Sequence, residues 1–105
     1  PAFRKFIIKP YPSEKLGWVK ASYNSINGQI KSEWAYKDSS SFVFSVTIPA
    51  NTSAKIYVPS KDTKSVKESG KSADDVRELK FIKYENGYAV FHAVSGKYEF
   101  ESKLK

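Results

Sequence analysis

One histidine, eleven carboxylate side chains and a scatter of aromatics are the residues of this chain able to bind or react. His92 lies within a run that reads as a strand. With no cysteine and no second histidine, a metal site would have to rest on carboxylates, and nothing nearby supplies a nucleophile for His92 to activate, because the neighbouring serines sit in turns. Paired carboxylates would do glycoside chemistry. The candidates are Glu33, Asp74, Asp75, Glu99 and Glu101. Asp74 and Asp75 fall in a polar loop, and the three glutamates alternate with apolar residues, as on a solvated strand face. The glycines stand singly, so no phosphate-cradling loop is written here. No catalytic set emerges, no metal site is predicted, and no cofactor is implied.

Aromatics are the better signal, since sugars and single-stranded nucleic acids both bind by stacking on rings. Trp34 falls on an inward row and reads as core. Trp18 and Tyr57 fall on outward rows, and Tyr11 joins them near the first strand. These three form the candidate surface, for docking against another domain or for stacking on sugar.

The elements that position them follow from hydrophobic periodicity. The stretch Gln29–Ile48 reads as a central hairpin. Ile30, Trp34 and Tyr36 share one face with Phe42, Phe44, Val46 and Ile48 across a polar turn at Lys37–Ser41. A period of two held over two adjacent runs means antiparallel strands with one buried face. Such a hairpin needs a second sheet to cover it. Phe3–Lys9 reads as a strand ended by Pro10 and Pro12, and Leu16–Asn24 as another, with Val19, Ala21 and Tyr23 inward. Asn27-Gly28 marks a turn. Ala54–Val58 is a strand with Ala54, Ile56 and Val58 inward. Ser60–Asp75 is a polar loop anchored by Val66, with room for a short edge strand near Ser65–Glu68, and Ala73–Leu79 could hold a helical turn. Glu78–Tyr84, Tyr88–Val94 and Lys97–Glu101 complete the set. About eight short strands with regular turn signals predict an all-β, antiparallel two-sheet β-sandwich occupying residues 1–105 as one domain.

Composition agrees. Hydrophobic residues make up 40% of the chain and aromatics 15%, which excludes disorder. No apolar run approaches the ~20 residues of a membrane helix, so no membrane partner is expected. The formal charge of +7 would attract polyanions, but the lysines alternate with apolar residues along the whole chain, the signature of a solvated outer face. Nucleic acid is therefore not the expected partner. The chain opens on Pro1 and contains no methionine, and we expect it to be a fragment of a larger polypeptide.

Taken in order, the residues resemble a known family. Pro1-Ala-Phe3-Arg-Lys-Phe-Ile-Ile8-Lys-Pro10 is similar to the segment opening the C-terminal β-sandwich of bacterial α-L-rhamnosidases of glycoside hydrolase family 78. Trp18-Val-Lys-Ala21-Ser22-Tyr23, Gly28-Gln-Ile30 and Trp34 resemble its next signature. Val46-Thr-Ile48-Pro49-Ala-Asn51-Thr52-Ser-Ala54 and Tyr57-Val-Pro59 resemble another, and Val66–Gly70, Gly87–Val90 and Ser95–Phe100 also correspond. Ala2 stands where the family has glycine, and Asn27 where many members have an aromatic.

The resemblance implies a non-catalytic accessory domain. The acidic residues that cleave the terminal rhamnose by inversion would lie on a preceding (α/α)6 barrel of the same polypeptide, outside this chain. It further implies an α-L-rhamnosyl substrate for the parent, no nucleotide cofactor, and a bacterial, secreted or periplasmic setting. Two other readings stay open: a carbohydrate-binding module using Trp18, Tyr57 and Tyr11, with weak carbohydrate contact, and a basic nucleic-acid-binding β-domain.

Overall fold

The computed structural model describes the backbone of residues 5–11, 18–25 and 28–105; the side chains of Lys5, Trp18, Tyr23, Asn24, Ser25 and Asp74 lie outside the described set. The strands are β1 (Lys5–Ile8), β2 (Trp18–Ser25), β3 (Gly28–Asp38), β4 (Ser41–Ile48), β5 (Ser53–Pro59), β6 (Lys67–Glu68), β7 (Lys71–Ser72), β8 (Leu79–Glu85), β9 (Tyr88–Ala93) and β10 (Gly96–Lys103). They form two sheets, ordered β1-β5-β9-β8 and β2-β3-β4-β10-β6-β7. The predicted two-sheet β-sandwich is what the chain adopts. The difference from about eight strands comes from the polar loop, where β6 and β7 make a two-residue hairpin on the edge of the larger sheet. The helical turn expected after it is a single 3-10 turn at Ala73–Asp75. Pro1–Arg4, the first residues of the strand expected from Leu16, the inward placing of Tyr23 and residues 26–27 of the Asn-Gly turn lie outside the described residues.

The central hairpin forms as its pattern requires. Trp34 pairs with Phe44 and Ser32 with Val46 across β3 and β4, and Ile30, Phe42, Phe44, Val46 and Ile48 are all at most 2% exposed. Its turn is held by Asp38, whose Oδ1 accepts the Ser40 backbone N–H at 2.8 Å. That contact, with the Ser40 hydroxyl second, holds the Asp38 carboxyl below its ordinary range. On the other sheet Asn86 and Gly87 both take positive φ, +52° and +84°, the backbone a two-residue hairpin between β8 and β9 needs.

The sheets meet through aromatic rings. Phe100 of the larger sheet stacks on Phe91 of the smaller at 6.1 Å, and within the larger sheet Trp34 stacks on Phe42 at 5.4 Å. Each such contact adds about 0.5–1.5 kcal/mol beyond the area it buries. Val66 inserts fully from the long loop. Ser102 Oγ donates to the Pro59 carbonyl, a hydrogen bond between β10 and β5.

One connection is not antiparallel. β1 runs parallel to β5, with Ile8 opposite Ile56 and Ile7 opposite Lys55. Ile8 enters the core, while Ile7 stays on the outer face at 66% exposed. That register leaves β1 at the edge of the smaller sheet, with Lys9 following it on the side of Tyr57.

Candidate docking surface

Alternation on β5 and β9 sets the outer face of the four-stranded sheet. Ala54, Ile56 and Val58 point inward, so Lys55 and Tyr57 point outward. In register, Tyr57 lies opposite Val90, Lys55 opposite His92, and Pro59 opposite Tyr88. Lys9 follows β1 on the same side. Its Nζ lies 5.0 Å from the Tyr57 ring centroid, 5.1 Å from that of Tyr88 and 5.7 Å from that of Tyr11. An ammonium at that range is attracted by the negative faces of the rings. Tyr57 and Tyr88 meet edge to face, 5.8 Å apart at 79°. The Tyr88 hydroxyl donates to the Pro10 carbonyl at 2.7 Å. Burial raises the Tyr88 pKa, with the neighbouring Tyr11 as the lesser cause.

Val90 reports how closely this layer packs. It faces outward and does not belong to the core between the sheets, yet it is 0% exposed. Tyr11, by contrast, is 71% exposed at the rim. The result is a patch of Ile7, Lys9, Tyr11, Tyr57 and Tyr88 with a covered centre and an open apolar margin.

Of the three candidate residues read from sequence, the structure brings Tyr11 and Tyr57 together around Lys9. Trp18 opens β2 of the other sheet, its backbone opposite Ala35; its side chain lies outside the described residues. Lys9, Tyr88 and Val90 were missed. The outward phase of Tyr88, two before Val90, was legible, but their meeting with Lys9 depends on the parallel placing of β1.

The opposite face of the molecule has another character. The outer side of the six-stranded sheet is hollowed into a polar cleft of about 490 Å³. One cross-strand row along it reads Lys20, Glu33, Ser45, Glu99, and the next reads Ser22, Lys31, Thr47, Lys97. In the first row Lys20 pairs with Glu33 at 3.8 Å and Ser45 Oγ donates to Glu99. Glu33 and Glu99 both flank Ser45 in this row, and both line the cleft. Glu101 likewise pairs with Lys37 at 3.3 Å. Asp75 is exposed on the 3-10 turn. His92 has Lys55 and Lys80 as its cross-strand neighbours. Among the described residues no group of three histidine, cysteine or carboxylate residues is placed to hold a metal.

The fold is an all-β two-sheet sandwich with a ring-lined outer surface on its smaller sheet. Residues 1–73 match the family described as the bacterial alpha-L-rhamnosidase C-terminal domain, and the chain belongs to that family. It is 32% identical over 91% of its length to an alpha-L-rhamnosidase of Formosa agariphila, and 30% identical over 96% to one of Alteromonas sp.. The chain spans about 10% of each of those relatives. Among solved structures it superposes on the alpha-L-rhamnosidase of Streptomyces avermitilis complexed with L-rhamnose, with a TM-score of 0.77, 25% identity and 92% of this chain but 9% of that one covered. The alpha-L-rhamnosidase of Dictyoglumus thermophilum gives 0.75, 27%, 96% and 11%.

Proposed function

We propose that this chain is a non-catalytic accessory domain of an α-L-rhamnosidase, and that it packs against the catalytic barrel of the same parent polypeptide through the outer face of its four-stranded sheet. The observation that carries this reading is the Lys9-centred cluster of Tyr11, Tyr57 and Tyr88 on that face. Rings held rigid by packing, with a covered centre and an open margin, are what interfaces between domains use as anchors. The small share of its relatives that the chain spans supports a neighbouring domain in the parent. Cleavage of rhamnosides then belongs to that neighbour.

A sugar platform on the same rings is the competing use. The 79° angle between Tyr57 and Tyr88 favours docking, because a pyranose stacks on a flat ring face and these two present none in common. Two measurements separate the readings. In the parent polypeptide, Tyr57→Ala with Tyr88→Ala is expected to loosen the module, seen as faster proteolysis between the domains and a lower Tm for the barrel. In this chain alone, L-rhamnose at millimolar concentration is expected to leave the amide resonances around Tyr57 and Tyr88 unmoved. Saturable shifts there would replace docking by sugar binding.

A further inference from the structure

We infer that the cleft on the outer face of the six-stranded sheet binds a carboxylate-bearing polysaccharide, with Lys31 and Lys97 holding a uronate carboxylate over the Thr47 hydroxyl. The inference rests on reading the chain as part of a glycoside-processing polypeptide. It concerns the face opposite the tyrosine patch and chemistry other than stacking.

The geometry is set by register. Thr47 on β4 is opposite Lys31 on β3 and opposite Lys97 on β10. Two neighbouring strand spacings put the lysine stems about 10 Å apart, with the hydroxyl between them. Lysine side chains are long enough to reach an anion seated over the intervening residue, and all three residues line the cleft. Neither Lys31 nor Lys97 joins an ion pair among the described residues, whereas Lys20 and Lys37, on the same sheet face, are each paired with a glutamate. The cleft therefore keeps two ammonium groups uncommitted, on either side of a hydroxyl. An anion seated there gains charge-assisted hydrogen bonds from both.

The next row selects among anions. Glu33 and Glu99 lie two residues along the strands from Lys31 and Lys97, about 6.7 Å away. Lys20 offsets the charge of Glu33, but Glu99 has only the Ser45 hydroxyl beside it, so a second negative charge on that side is repelled and densely sulfated chains fit poorly. A free hydroxyl is welcome there, because carboxylates only accept hydrogen bonds. One carboxylate per sugar, flanked by free hydroxyls, answers both rows: the ammonium pair takes the charge, and the glutamates take the hydroxyl protons. A volume of about 490 Å³ is in the range of small-ligand sites.

The test uses the 105-residue chain and polygalacturonate, in affinity electrophoresis and calorimetry at low salt. Polygalacturonate is expected to bind, and its fully methyl-esterified form to bind at least tenfold more weakly. Lys31→Ala with Lys97→Ala should weaken binding about tenfold. Lys55→Ala with Lys80→Ala, on the other sheet, should leave it unchanged. Equal binding of the esterified polymer, equal losses from the two lysine pairs, or tighter binding of heparin or single-stranded DNA would each overturn the inference, the last two by showing a general response to the chain's positive charge. None of those outcomes touches the docking reading, whose variants and readouts lie on the opposite face.

Discussion

The phenolic hydroxyl of Tyr88 donates a hydrogen bond to the carbonyl of Pro10, 78 residues earlier, at 2.7 Å. β9, which starts at Tyr88, is an inner strand of its sheet, and Pro10 follows the edge strand β1. One bond therefore reaches past β5 and pins the segment that carries Lys9 and Tyr11 to the sheet's edge. It also holds Tyr88 where Lys9 can lie over its ring.

Tyr88→Phe keeps the ring and removes the donor. Stability is expected to fall by about 1 kcal/mol, the usual worth of such a bond. Amide exchange of residues 9 and 11 should accelerate more than that of β5. Denaturant unfolding with hydrogen exchange checks both. Uniform acceleration over the whole sheet would mean the bond does not act as a local pin.

Phe100 and Phe81 both touch Phe91, with centroids 6.1 Å and 5.8 Å away. Phe100 is 2% exposed between the sheets, and Phe81 is 43% exposed on the edge strand β8. Phe100→Ala should cost about 3–5 kcal/mol, a large share of the stability of a domain this size, and Phe81→Ala clearly less. Equilibrium unfolding in urea gives the ranking.

Among the described residues the buried Ser60 hydroxyl has no hydrogen-bond partner, although its backbone N–H donates to the Gly87 carbonyl at 3.0 Å and its carbonyl accepts from Tyr84. An unpaired buried hydroxyl costs about 1–3 kcal/mol. Ser60→Ala keeps both backbone bonds, so thermal unfolding should show an equal or higher Tm.

Tyr98 is 3% exposed and donates to the Val94 carbonyl at 2.7 Å. Burial, then the charges of Glu78 and Glu68, push its pKa up to about 12, against about 10 for a free tyrosine. A raised pKa means the folded state holds the proton more tightly. The stabilisation is complete below pH ~10 and is lost as pH rises through the folded pKa, with a slope of up to about 1.4 kcal/mol per pH unit. Tyr88 acts with the same sign. Unfolding free energies measured between pH 9 and about 12 should fall steeply for the native chain and less steeply for Tyr98→Phe.

Much of the fold was legible because period two is a local property. Ile30, Phe44 and Ile56 could be assigned to the interior, and Lys55 and Tyr57 to the exterior, from their neighbours alone, and all five lie where that phase puts them. The positive φ at Asn86 and Gly87 likewise follows from a local feature, the Asn-Gly pair of a two-residue hairpin. The ordered motifs that resemble the rhamnosidase C-terminal domain ran along the chain in the same way, and the match of residues 1–73 agrees with them.

Alternation says which side of a strand a residue occupies, but not which strand comes to lie beside it. Thus the sequence by itself determined two layers of strands and their inward rows. Only the tertiary structure decided that β1 would run parallel to β5, that Tyr57 would meet Lys9 and Tyr88 while Trp18 went to the other sheet, and that outward-facing Val90 would be covered. The physical reason is that those contacts join segments tens of residues apart, and their geometry depends on the strand order that closes the shared core.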